Sequence, residues 1–292
     1  MIKKIFTMTL AAILALAVAG QAVANEQSKD EKALSDKNAV TGQAPGMLAS
    51  QQCFSSGNGV TFLKVCITDN GNISWFESPS GKVHLQQREG YAVCSGGIPG
   101  NGAIVHGFDA NIVANGWGNP AISQPNGAGT FPLIITRQSL DGVIQLKQTF
   151  TRNTVERGID VQLDLKNMTA MYLYNVFLSR YFDADADGAI TNLFDKTHDS
   201  TWARNPVNPA TAGRGLMLTL APSASLQYWY PSTTTYAQWN PYGSGQQYAR
   251  GCDYENSWSP ATGDFVGIVQ VKMASTLNPG QIKTVTFRYR PL

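Results

Sequence analysis

Ile159-Asp160-Val161-Gln162-Leu163-Asp164-Leu165-Lys166 alternates aliphatic and polar residues over eight positions. Side chains in an extended chain point to opposite faces in turn. Ile159, Val161, Leu163 and Leu165 therefore share one face, and the four polar residues share the other. This is the period of a strand with one side in a core and one in water. Similar segments run from Val60 to Ile67, Phe131 to Arg137, Val143 to Phe150, Tyr172 to Tyr181, Leu216 to Leu220, Val266 to Met273 and Thr284 to Arg290. Asp69-Asn70-Gly71, Pro79-Ser80-Gly81, Asp141-Gly142 and Pro279-Gly280 punctuate them as turns. No segment after the first 24 residues offers a long helical period. The pattern predicts an all-β chain, an antiparallel β-sandwich with long loops, and places function on the loops.

Two stretches carry a resemblance. Leu165-Lys166-Asn167 followed by Tyr174-Asn175-Val176-Phe177-Leu178, and Leu277-Asn278-Pro279-Gly280 followed by Val285-Thr286-Phe287, are similar to strand pairs of secreted immunoglobulin-like and larger sandwich domains. The resemblance implies a sandwich, extending to the size of the mutarotase-like supersandwich. Sugar epimerases of that kind use histidine and glutamate, and no motif here carries those roles over.

Lys3 and Lys4 precede an apolar run from Leu10 to Ala19, and Ala22-Val23-Ala24 follows with the small-x-small pattern of a signal-peptidase site. The run is shorter than the roughly 20 residues a transmembrane helix needs. Residues 1–24 are thus expected to be a signal peptide and the mature chain to be exported, to the periplasm or beyond. Residues 25–51 contain no aromatic and are rich in Lys, Glu, Asp, Ser and Gln, the composition of a flexible polar lead. Residues 52–292 form the expected single sandwich domain.

Cleavage after Ala24 leaves 268 residues and removes two lysines, taking the formal charge from +2 to 0. A neutral chain without Lys/Arg runs lacks the electrostatic footprint of a nucleic-acid or anionic-membrane binder. Four cysteines, Cys53, Cys66, Cys94 and Cys252, in an exported chain favour two disulfides over free thiols. Zinc is disfavoured, since there is no Cys-x-x-Cys pair and the three histidines are not spaced as ligands. Of three connectivities, Cys53 with Cys66 across a hairpin and Cys94 with Cys252 are preferred.

Asp183-Ala184-Asp185-Ala186-Asp187-Gly188 sets three carboxylates at alternate positions and closes them with a glycine. Such spacing lets a turn aim oxygen donors at a hard cation, and it reads as a calcium loop. Ile190 fills the eighth position, where an aliphatic residue pins such loops. Phe194 stands at the twelfth, where an EF-hand has a bidentate glutamate, so the expectation is Ca2+ in a β protein, with Asp195, Asp199 or a carbonyl completing the shell. Five of the 16 acids beyond the lead fall within residues 183–199. At about 6 Å two carboxylates repel by roughly 3 kcal/mol at an effective dielectric near 20 and by under about 1 kcal/mol in water. Packed together they need a cation; solvated, they are an exposed acidic turn.

Residues 228–258 hold nine of the 29 aromatics, among them Trp229, Tyr236, Trp239 and Tyr242, interleaved with Ser, Thr, Gln, Asn and Gly. Flat rings beside short polar groups suit sugar faces and hydroxyls or a protein surface. A loop packing its own rings over the sandwich edge is the alternative. Catalytic signals are thinner. His106 with Asp109 and His198 with Asp199 are candidate acid–base pairs. Glu77, Glu89, Glu156 and Glu255 are the first carboxylates to weigh for glycoside hydrolysis. No Gly-x-Ser-x-Gly elbow occurs. The sequence points to a calcium-stabilised exported sandwich that binds an extracellular ligand, carbohydrate above all. Two alternatives share the scaffold: a carbohydrate-active enzyme, and a structural or adhesive surface protein.

Overall fold

A computed structural model describes residues 50–98, 101–109, 114–189, 191–196, 199–207, 215–221, 228–235, 261–263 and 265–292. Residues 49–292 form one compact unit. The expected signal peptide and most of the polar lead lie outside the described residues, as do Tyr236, Trp239, Tyr242 and Cys252.

Eighteen strands among the described residues build two antiparallel sheets. The first runs β1 (Gln51–Ser56), β2 (Leu63–Thr68), β3 (Ile73–Glu77), β4 (Val83–Ile98), β11 (Leu173–Ala184), β17 (Phe265–Leu277) and β15 (Tyr228–Thr235). From its middle, β5 (Asn101–Asp109) pairs with β4 and carries the short β6 (Ala114–Asn115). The second sheet runs β16 (Ala261–Gly263), β12 (Asn192–Lys196), β13 (Ser200–Arg204), β14 (Gly215–Ala221), β18 (Ile282–Pro291), β10 (Gly158–Asn167), β9 (Ile144–Asn153), β8 (Leu133–Gln138) and β7 (Ala121–Ser123). The β-sandwich expected from alternation is the fold observed.

Strand β10 accounts for both faces of its pattern. Ile159, Val161, Leu163 and Leu165 are buried in the core between the sheets. Full burial of each is worth about 1.5–3 kcal/mol. Two of the polar positions make cross-strand pairs: Arg288 Nε donates to Asp160 at 2.6 Å, Thr284 Oγ1 to Asp164 at 2.8 Å, and Lys147 Nζ lies 2.7 Å from Asp164. Strand β11 behaves differently, being buried on both faces from Val176 to Ala184. It is central in the first sheet, so Leu178 and Phe182 enter the main core while Tyr181 joins a smaller cluster on the opposite, outer face.

Cys53 and Cys66 stand opposite each other in the β1–β2 ladder and are disulfide-bonded, the expected pair. Cys94 is also in a disulfide, and its expected partner Cys252 lies outside the described residues.

Candidate functional site

The most polar cluster lies inside the sandwich. Arg180 on β11 and Glu89 on β4 are both fully buried and form a two-pronged pair, with Arg180 Nε 2.6 Å from Glu89 Oε1 and Nη2 3.0 Å from Oε2. Tyr289 of β18 donates its hydroxyl to Glu89 Oε1 at 2.6 Å, and the Ile73 amide donates to Oε2 at 2.7 Å. Arg180 Nη1 donates to Gln148 Oε1 of β9 at 2.9 Å, and Nη2 to the Gly71 carbonyl at 3.1 Å. Gly71 has φ +89, and a Cβ there would run into the Gln148 amide, so the turn and the network require glycine at this point. Rings of Tyr91, Phe150 and Tyr289 surround the guanidinium at 5.5 to 5.9 Å.

Burial pushes the Glu89 carboxyl upward, while Arg180, Tyr289 and the Ile73 amide pull it down. Burial also works against charge on Arg180, but Glu89 outweighs it and raises the group. Both groups are shifted upward, which favours charge on Arg180 and disfavours it on Glu89. A guanidinium stays charged, and a neutral Glu89 would strand it in the core, so the pair is ionic. With 0% exposure for both partners, Glu89 fastens the two sheets rather than meeting a substrate. A second buried pair, Arg137 of β8 with Asp109 of β5, does the same nearby and takes in Tyr91 and Asn72.

The other expected acids are similarly engaged. Glu156 pairs with Arg288, and Glu77 accepts from Trp75 Nε1 and the Gly81 amide. Glu255 and His198 lie outside the described residues. Asp109 is committed to Arg137, and His106 pairs instead with Asp141, which corrects the pairing read from sequence proximity. His106 Nδ1 is 2.7 Å from Asp141 Oδ2, and its Nε2 is 2.7 Å from Ser95 Oγ.

The Asp183–Gly188 loop leaves the end of β11. Asp183 is buried, Asp185 precedes a short 3₁₀ turn, and Asp187 lies within it at φ 54, followed by Gly188 at φ +76. The expected sharp reversal is therefore present. Asn192 and Asn205 hold the turn by side-chain bonds to Ala184, Ala186 and Ala189. His84 Nε2 donates to the Ser78 carbonyl and Nδ1 accepts from the Asp187 amide at 3.2 Å. Lys82 Nζ lies 3.0 Å from Asp187. Asp195 sits on β12 and accepts from the Lys196 amide. Among the described residues no three His, Cys, Asp or Glu side chains gather as a metal-binding group.

The outer face of the first sheet holds a different kind of site. Ala92, Cys94, Phe108, Tyr181, Val266 and Ile268 form its apolar cluster. Alternation places Ser179 and Gln270 on this face, and the two stand directly opposite each other in the β11–β17 ladder. Gln270 is 0% exposed, yet neither its Oε1 nor its Nε2 finds a hydrogen-bond partner among the described residues. The aromatic segment begins on the adjoining strand β15, the last of this sheet among the described residues: Tyr228 and Tyr230 take the register positions opposite Lys272 and Gln270. Trp229 stands opposite Val271, a residue of the main core. Sequence reading missed Gln270 because a glutamine on an alternating strand reads as a solvent-facing position.

No protein-family model matches the chain, and no curated protein does. Among solved structures it is similar to a bacterial glucoamylase complexed with acarbose, with a TM-score of 0.52 and 7% identity over 84% of this chain and 34% of that one. The likeness is one of fold, and this chain spans about a third of the glucoamylase's length. A polysaccharide lyase aligns at TM-score 0.43 and 13% identity, over 82% of this chain and 33% of that one. A galactose mutarotase related enzyme from Lactobacillus acidophilus aligns at 0.40 and 8%, over 82% and 97%.

Proposed function

We propose that the chain is an exported β-sandwich that binds a polyhydroxylated ligand, a carbohydrate, on the outer face of its first sheet. The observation that carries this reading is Gln270, a fully buried amide with neither polar atom partnered among the described residues. A buried polar group left unpaired costs about 1–3 kcal/mol, and proteins retain such a group where something else satisfies it. An amide offers an acceptor and a donor side by side. Two neighbouring hydroxyls of a sugar meet both at once, one donating to Oε1 and one accepting from Nε2. Tyr228 and Tyr230 hold the register positions opposite Lys272 and Gln270, so the aromatic-rich stretch of sequence starts on the strand beside Gln270. Because the amide is buried, binding includes an opening step, and association is slower than entry into an open groove.

Glycan-array screening followed by calorimetry on each hit tests the reading. Gln270→Met is expected to weaken binding at least tenfold. Hits that bind the variant as tightly as the parent would overturn it.

Calcium at Asp183, Asp185 and Asp187 is a separate proposal, supported by spacing and by the turn at Gly188. The ion would have to draw Asp187 away from Lys82. With Kd near 10⁻⁴ M, about 1 mM calcium adds roughly 1.4 kcal/mol and a few degrees of melting temperature. Lys82→Ala is expected to enlarge the shift. Identical melting in calcium and in chelator for both proteins would sink the proposal.

A further inference from the structure

We propose that Ser95, His106 and Asp141 form a nucleophilic acyl-transfer site for small carboxylic esters, apart from Gln270 and independent of the sugar reading. Three elements bring the residues together: Ser95 comes from β4, His106 from β5 of the same sheet, and Asp141 from the turn joining β8 to β9 in the other sheet. The atom order is that of a nucleophile, its base and the group that orients the base. Ser95 Oγ lies 2.7 Å from His106 Nε2, and His106 Nδ1 lies 2.7 Å from Asp141 Oδ2.

The carboxylate is itself held in place. Asp141 Oδ1 accepts from Ser139 Oγ at 2.5 Å and from the Val143 amide at 3.0 Å, which leaves Oδ2 for the imidazole. Burial works against its charge, but the bonds from Ser139, His106 and Val143 outweigh it and hold the carboxyl below the usual range. An ionised Asp141 fixes the neutral imidazole with its proton on Nδ1. Nε2 is then the acceptor for the serine proton.

Ser95 and His106 are 4% and 5% exposed, so water has little access to the nucleophile. The surface is nevertheless adjacent: Gly96 follows Ser95 and is exposed, and Ile104, opposite Ser95 in the β4–β5 ladder, is 59% exposed. Gly96 and Gly97 carry no side chain to obstruct a small acyl group. The solvent-facing member is Asp141, whose side chain is 39% exposed. Triads with a buried carboxylate shield that charge from water; this one is expected to turn over slowly and to accept short acyl chains.

In the reaction Ser95 Oγ bonds to the ester carbonyl carbon as its proton passes to His106 Nε2. The bond from that carbon to the alcohol oxygen then breaks, and the alcohol leaves with the proton from Nε2. Water adds to the acyl-serine, giving a proton to Nε2. The acid departs, and that proton returns to Ser95 Oγ. Asp141 stabilises the imidazolium formed in each half.

A fluorophosphonate probe and p-nitrophenyl acetate test the assignment on the intact chain. The probe is expected to label Ser95, as located by peptide mapping. Ester hydrolysis is expected to fall at least a hundredfold in Ser95→Ala and in His106→Ala, and at least tenfold in Asp141→Asn with a changed pH profile. If a variant fails to fold, labelling of the parent protein decides alone. A parent that melts cooperatively and takes no label at Ser95 overturns the assignment, as does hydrolysis that a folded Ser95→Ala leaves unchanged.

Discussion

Replacing Gln270 by methionine should make the protein more stable, an unusual outcome for a fully buried position. The amide is 0% exposed, and its two polar atoms lack partners among the described residues. Each unpaired group costs about 1–3 kcal/mol of lost hydration, and methionine, unbranched and of similar length, removes both. Repacking around a volume-conserving change costs under about 1.5 kcal/mol. The net gain is about 2 kcal/mol. For a unit of this size that corresponds to a rise of roughly 4–8 °C in melting temperature. Gln148→Met is the matched control. That amide accepts from Arg180 Nη1 at 2.9 Å and donates to the Asn70 carbonyl at 3.2 Å. Losing it strands a charged donor, so the same chemical change should cost about 2–4 kcal/mol. Scanning calorimetry of the two variants without ligand gives the comparison. A fall in melting temperature for Gln270→Met would refute the reasoning, because it would mean that the amide already has partners.

Glu89→Ala leaves Arg180 charged and unpaired in the core, and urea denaturation should record a loss of about 3–5 kcal/mol. Removing the Cys53–Cys66 bridge by Cys53→Ser with Cys66→Ser releases a loop with a sequence separation of 13. Chain entropy puts the cost near 3 kcal/mol, read as a lower urea midpoint under non-reducing conditions. Asp141 is held below its ordinary value of 3.8 by hydrogen bonds that outweigh burial. Its contribution is therefore fully present above about pH 4 and is lost as pH falls through the lowered folded value. The stability gap between the parent and Asp141→Asn, followed by urea denaturation from pH 7 to pH 2, should be constant at first and then close on the acid side.

Alternation alone was enough for the sandwich. The run from Ile159 to Lys166 pairs its aliphatic side with the core and its polar side with Arg288, Thr284 and Lys147, because a strand with a period of two presents only one apolar face. The Cys53–Cys66 pair was legible for a related reason: nearby cysteines flanking a turn meet across a hairpin ladder. Strand β4 was hidden, since Gln86-Gln87-Arg88-Glu89 and Ser95-Gly96-Gly97 read locally as polar chain and turn. Its burial depends on Arg180, 91 positions away, and on Tyr289, 200 positions away. A separation of 35 positions likewise concealed Asp141 from His106 and left Asp109 as the apparent partner. Gln270 reads in sequence as a solvent position because an alternating strand presents one apolar face, whereas the first sheet is buried on both faces at its centre. Local periodicity determines the one-faced strands such as β10; only the stacking of sheets decides which polar groups lose water, and those groups carry the candidate chemistry of this protein.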